Sequence, residues 1–254
     1  MPAVRKLLEL SSAVRHQHRL TRSRPISKPI IQATMPVDYS TASYWDMRYL
    51  NDQADKQEWL ITPEALDEHL VPLLSQESEI LVIGCGNSEL SAYLYNQGYM
   101  NITNVDFSAV VIAEMRERYV NLPSMAHHVM NIARLDFSDE EFDVVIDKGT
   151  TDSIFCGGDS FIRANAVFQE VHRVLKPDGL YYMVSHAGPD RRREHLGRGI
   201  PWKSRLHRVI EHRSQAVHLY ASRKGLPLTE RQPRVEDADV FSDSVARGHR
   251  RVPP

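Results

Sequence analysis

The chain has 254 residues, 42% hydrophobic and 25% charged, which is material for one α/β domain of about 180 residues with tails. Its formal charge is −2, but residues 1–34 carry seven basic side chains against Glu9 alone, a local +6, so the remainder sums to −8 and argues against a nucleic-acid footprint on the folded part. No apolar run approaches the roughly 20 residues that span a bilayer, and two cysteines, Cys85 and Cys156, read as reduced thiols of an intracellular protein.

Residues 1–40 form a basic segment that does not belong with the domain. Leu7, Leu8 and Val14 among arginines are compatible with a mitochondrial transit peptide; a disordered tail, or an extension upstream of a start at Met35, fits equally. From Tyr44 the character changes, and Trp45, Tyr49 and Trp59 gather around the polar Asn51-Asp52-Gln53. Such a helix either packs on a sheet or lids an adenine or a cationic sulfonium, since aromatic faces attract cations. Thr62 and Pro63 then start a helix that runs to Leu73 or Leu74.

The chain is organised around the segment from Ser78 to Asp106. Glu79–Ile83 is a short β-branched run that reads as a buried parallel strand, and it enters Gly84-Cys85-Gly86 directly. Asn87-Ser88 can cap the next helix, which Gly98 stops; a second strand, Asn101–Val105, ends in Asp106. Glycines let a backbone approach a ligand, a helix start offers N–H groups, and an acid closing the second strand accepts ribose hydroxyls. A dinucleotide fingerprint needs a third glycine, and Glu89 stands there, an acid where a pyrophosphate would sit. A ribose, no phosphate and a small carboxylate fit better, which points to S-adenosylmethionine.

The alternation continues. Ser108 caps a helix over Ala109–Tyr119, Ala126–Met130 is a third strand, and Asn131-Ile132 falls beside the adenine if ligands bind outside the carboxyl ends of the strands. The fourth strand, Phe142–Ile146, delivers Asp147-Lys148-Gly149-Thr150-Thr151-Asp152 to the same edge. If the acceptor is an amine, an ammonium of ordinary pKa near 10.4 must lose its proton, and a carboxylate can orient it. Asp147 and Asp152 are the catalytic candidates; the alternative is that Asp147 pairs with Lys148 and Asp152 caps a turn. A long helix from Asp159 or Ser160 to Lys176 is broken by Lys176-Pro177-Asp178-Gly179, and Leu180–Ser185 is a fifth strand. Arg191-Arg192-Arg193 is a basic cluster, either a solvated face or a contact for an acidic protein surface. Ser204–Glu211 and Ala216–Ser222 form a closing hairpin, and residues 227–254 read as a polar tail behind a domain of residues 41–226. There is no metal-spaced Cys/His set, and His127-His128 packs within a strand.

The segments GCGNSELS, NITNVDFSAVVI, DFSDEEFDVVIDKGTTD, EVHRVLKPDG and YWDMRY resemble the class I methyltransferases of the methyltransferase-like 13 group, which includes a lysine methyltransferase of elongation factor 1-alpha. The resemblance covers roughly Tyr44 to Lys224. It implies a Rossmann-like seven-stranded α/β fold, a mostly parallel sheet with an antiparallel last strand and helices on both faces. It also implies S-adenosylmethionine contacts on Trp45, Tyr49, Trp59, Gly84, Asp106, Phe107, Asn131, Ile132 and Lys148, beside Gly86 of the loop. Where the family often has Asp after the third strand, this chain has Asn131, which weakens but does not remove a bond to the adenine amino group.

The expected activity is S-adenosylmethionine-dependent methylation of a protein lysine, with S-adenosylhomocysteine as product and no metal. Elongation factor 1-alpha is the first candidate substrate, and a cytoplasmic monomer is expected, with no nucleic-acid or membrane partner. The alternatives are a small-molecule N- or O-methyltransferase, a mitochondrial protein-lysine methyltransferase, and a non-catalytic cofactor-binding scaffold.

Overall fold

The computed structural model describes residues 38–51, 58–70, 74–197 and 199–225, all within the compact unit Val37–Pro254. The transit-peptide reading of residues 1–34 and the tail reading of residues 227–254 lie outside the described residues, as do Asp52 and Gln53.

Seven strands make one sheet: β1 (Ile80–Ile83), β2 (Ile102–Asp106), β3 (Ala126–Val129), β4 (Phe142–Lys148), β5 (Leu175–Ser185), β6 (Trp202–His212) and β7 (Gln215–Lys224). Their order is β3-β2-β1-β4-β5-β7-β6. The first five run parallel, and β7 enters antiparallel between β5 and β6. The chain leaves β1 towards β2 on one side and reaches β4 on the other, so a topological switch lies between β1 and β4, where the loops after both strands splay apart and leave a crevice.

Helices cover both faces, which is why β1, Ile-Leu-Val-Ile, is buried throughout instead of alternating. Ile80 and Val82 face a core shared with α1 (Ala42–Asn51), α2 (Pro63–Leu70), α3 (Leu90–Asn96) and α4 (Ala109–Arg118). Leu81 and Ile83 face the other core, which α6 (Ser160–Val174) fills with Ala164, Val167, Phe168, Val171 and Val174. Each fully buried Val, Leu, Ile or Phe side chain among these contributes about 1.5–3 kcal/mol. Ser108 caps α4 as expected, accepting from the Val111 N–H at 3.3 Å. At α3 the cap position is Glu89, and Ser88 Oγ instead accepts from the Leu90 N–H at 3.1 Å.

Three parts differ from the sequence reading. β5 begins at Leu175, because that residue already pairs with Phe142; residues 176–179 then bulge out with Asp178 at φ 62° before Leu180 resumes opposite Val144. Two short helices were not expected: α5 (Thr150–Phe155) and α7 (Pro189–Gly197). The hairpin is longer than expected at both ends, and it turns on Arg213 and Ser214 alone, at φ 49° and 62°, the left-handed pair that a two-residue hairpin turn needs.

Candidate active site

The loops after β1, β2, β3 and β4 enclose a cavity of about 1000 Å³ at the carboxyl edge of the sheet. Trp45, Tyr49, Trp59, Gly84, Gly86, Asp106, Phe107, Asn131, Ile132 and Lys148 all line it, as does Asp152, whereas Asp147 does not.

Gly84 and Gly86 adopt φ 58° and 52°, a region costly for side chains. Their missing Cβ atoms leave room for the protein itself: at Gly84 a methyl would run into the Thr150 side chain, and at Gly86 it would meet the Tyr49 hydroxyl at 2.9 Å. Packing within the chain is thus a reason for glycine at both positions, beside the expected approach of the backbone to a ligand, and both glycines line the cavity. Asp106, 5% exposed, closes β2 beside the loop. Its Oδ2 accepts from the Gly86 N–H at 3.0 Å and its Oδ1 from the Ser108 N–H at 2.9 Å. Burial pushes its carboxyl up to about 6; the N–H groups of Ser108, Gly86 and Phe107 oppose that shift, and the Asp46 charge adds to it. A rigid carboxylate on the wall, with no phosphate-binding glycine beyond it, matches a ribose diol, so the residues present fit the nucleoside part of S-adenosylmethionine. Phe107 is 37% exposed at the rim, and Asn131 keeps its amide nitrogen for a ligand while its Oδ1 accepts from the Ala133 N–H at 2.9 Å.

The aromatic lid has internal order. Trp45 lies 5.8 Å from Tyr49 and 6.1 Å from Trp59, and its Nε1 donates to the Tyr39 carbonyl at 2.7 Å. The Arg48 guanidinium sits 4.9 Å over the Trp59 ring. Below the lid, Lys148 Nζ donates to Glu58 Oε2 at 2.8 Å and to the Trp59 carbonyl at 3.0 Å. Glu58 also accepts from Ser88 Oγ at 3.1 Å and from the Glu89 N–H. Sequence reasoning missed Glu58, because its partners lie 30 to 90 residues away. It staples the lid segment at Trp59 to the glycine loop and to the end of β4.

The two candidate carboxylates separate completely. Asp147 is fully buried; its carboxylate accepts from the Thr150 N–H at 2.9 Å, the Thr151 N–H and hydroxyl, and the Tyr181 hydroxyl at 3.0 Å. Burial pushes this carboxyl up to about 6. The catalytic expectation for Asp147 is corrected: it faces the α6 side of the sheet and holds the first turn of α5. Asp152, on α5, does face the cavity. Its Oδ2 accepts from the His186 N–H at 2.9 Å, and its Oδ1 takes the Ser185 hydroxyl and Arg192 Nη2 at 2.5 Å. The basic cluster is divided likewise. Arg191 is exposed, whereas Arg192 is buried, its guanidinium 4.2 Å above the Phe155 ring. Nothing local in Arg191-Arg192 tells the buried arginine from the exposed one.

A family model described as a methyltransferase domain matches residues 81–183, from β1 to β5. The mouse protein named EEF1A lysine methyltransferase 4 is 35% identical over 222 residues, 82% of this chain and 84% of that protein. The chain belongs to the class I methyltransferases, in the eEF1A lysine methyltransferase group. The human protein named eEF1A lysine and N-terminal methyltransferase is 32% identical to this methyltransferase over 185 residues, which is 71% of the chain but 26% of that longer protein. A solved structure of the N-methyltransferase NodS from Bradyrhizobium japonicum, with S-adenosylhomocysteine, shares the fold at a TM-score of 0.51 and 14% identity, over 71% of this chain and 98% of that one.

Proposed function

We propose that this methyltransferase transfers a methyl group from S-adenosylmethionine to a lysine side chain of elongation factor 1-alpha. The observation that carries the reading is a single cavity with Asp106 and the lid at one end and Asp152 at the other. The names of its mouse and human relatives support the choice of acceptor. Asp106 would hold the ribose, Phe107, Asn131 and Ile132 the adenine, and the loop Gly84–Gly86 with Lys148 the amino-acid end, under Trp45, Tyr49 and Trp59. When bound, the cofactor supplies an electrophilic methyl on a sulfonium. The chain's own work is then to exclude water, lower the acceptor's pKa by desolvation and aim its nitrogen. Asp152 is the group placed to orient that nitrogen before deprotonation. A monomer in the cytoplasm is the proposed form, and the basic residues 1–34 support the mitochondrion as the rival compartment.

The test is transfer of labelled methyl groups into purified elongation factor 1-alpha and into a whole lysate, with the protein and its Asp106→Ala variant side by side. One labelled band of that factor's size, absent with the variant and mapped to a lysine by mass spectrometry, supports the reading. Label confined to small molecules overturns the acceptor.

A further inference from the structure

We infer that Arg192 is an internal occupant of the acceptor's cation site, and that a substrate amine enters by displacing its guanidinium from Asp152. The inference rests on the reading that the acceptor is an amine. The Asp152 carboxylate, at 2.5 Å from Arg192 Nη2, and the Phe155 ring, 4.2 Å from its guanidinium carbon, are the two groups that recognise an alkylammonium: an anion for its charge and an aromatic face for its cationic end. Both partners are nearly dry, with side-chain exposures of 6% for Arg192 and 12% for Asp152, and both line the cavity that holds Gly84, Asp106 and Lys148. With the guanidinium in place, the two carboxylate oxygens accept only from the chain, namely from Ser185, His186 and Arg192. Oδ1, which takes both Ser185 and Arg192, is closed to a substrate amine until Arg192 leaves, while Oδ2 holds the His186 N–H.

The element that carries Arg192 is suited to leaving. α6 is anchored by five buried apolar residues, whereas the buried apolar anchor described on α7 is Leu196. Among the described residues α7 is also held by the His195 ring, 4.5 Å from Phe155 and 5.5 Å from Phe161, and by Arg192 on Asp152 and Ser185. Gly188 precedes α7, and Gly199, at φ 77°, follows it. Exchanging one cation for another on the same carboxylate leaves no buried charge unpaired, so the swap avoids the penalty of simply breaking the pair. Once the amine is seated and has lost its proton to water, its lone pair forms the N–C bond while the C–S pair returns to sulfur, releasing S-adenosylhomocysteine.

The rival role is a fixed positioning residue that aims Asp152. Steady-state methylation of elongation factor 1-alpha by the full chain separates the two, with kcat and KM for the acceptor resolved and S-adenosylhomocysteine affinity followed by calorimetry. For Arg192→Ala, KM for the acceptor should fall severalfold, and methylguanidinium, refilling the vacated site, should inhibit the variant in competition with the acceptor. A fall in kcat that methylguanidinium restores overturns the inference. If that variant does not fold, Arg192→Lys keeps the ion pair and places a primary amine where the guanidinium was. Label at position 192, with S-adenosylmethionine as the only added reagent, supports the cation site whatever the natural acceptor is. An unlabelled, folded Arg192→Lys that still methylates the factor overturns it. If the wild-type chain methylates no protein amine, the fault lies with the proposed function and not with the site.

Discussion

The two ends of the cavity are built differently. The end proposed for the cofactor consists of strand termini and backbone: Gly84 and Gly86 at positive φ, Asp106 held by N–H groups at 3.0 and 2.9 Å, and a lid whose Trp45, Tyr49 and Trp59 line the cavity. The end proposed for the acceptor consists of side chains from two short helices that pair with each other, Asp152 with Arg192 and Phe155 with His195. One end is pre-formed and the other is self-satisfied. A common cofactor can be met by rigid geometry, whereas a large acceptor has to be admitted, and pairing keeps charged groups from being stranded until it arrives.

Substitutions can break or sharpen this contrast. The largest effect belongs to Asp147→Ala, which strands the Thr150, Thr151 and Tyr181 donors and should lower unfolding stability by about 3 kcal/mol or more in a urea titration. A cost below about 1 kcal/mol there would mean that α5 holds itself. Asp106→Ala should weaken S-adenosylhomocysteine by roughly 100-fold in calorimetry, since it removes charge-assisted bonds to two hydroxyls; an unchanged affinity removes Asp106 from the ribose. Asp152→Ala should instead cut turnover by on the order of tenfold to a hundredfold with cofactor affinity retained, the signature of lost aim. Equal activity would make that carboxylate purely structural.

A smaller effect is expected from pH. The carboxyl of Asp106 is raised from 3.8 to about 6, so its protonated form is favoured in the folded chain, and its contribution to stability declines as pH rises between those two values. Cofactor binding runs the other way, because the hydroxyls need the ionised acceptor. Affinity should be flat above about pH 7 and fall roughly tenfold per unit below about 6, while Asp106→Asn should show no such slope. The smallest effect is expected for Glu58→Gln, which loosens the staple between lid and loop. Cofactor affinity should drop about fivefold, with a changed Trp59 fluorescence response.

The cofactor end was legible because its signals are contiguous: β1, the glycine loop, α3, β2 and Asp106 follow one another without interruption from Ile80. The acceptor end was not. α5 and α7 are too short and polar to show a helical stripe, and α5 owes its first turn to Asp147, which the chain supplies from the neighbouring strand. One signal was overlooked, since the two-residue period of β4 puts Asp147 on the face of Val145, towards α6. Arg192 and Glu58 had none, because a charge is assigned to burial only by partners distant in sequence.

The packing of Thr150 against Gly84 couples two distant parts of the chain. The threonine hydroxyl donates to the carbonyls of Ile83 at 3.0 Å and Gly84 at 3.2 Å, and its side chain fills the volume that a Cβ at position 84 would claim. Two positions 66 residues apart therefore share one space. In a mutational scan they should be epistatic: substitutions at 84 should become less damaging when position 150 carries glycine, a dependence that neither single substitution reveals.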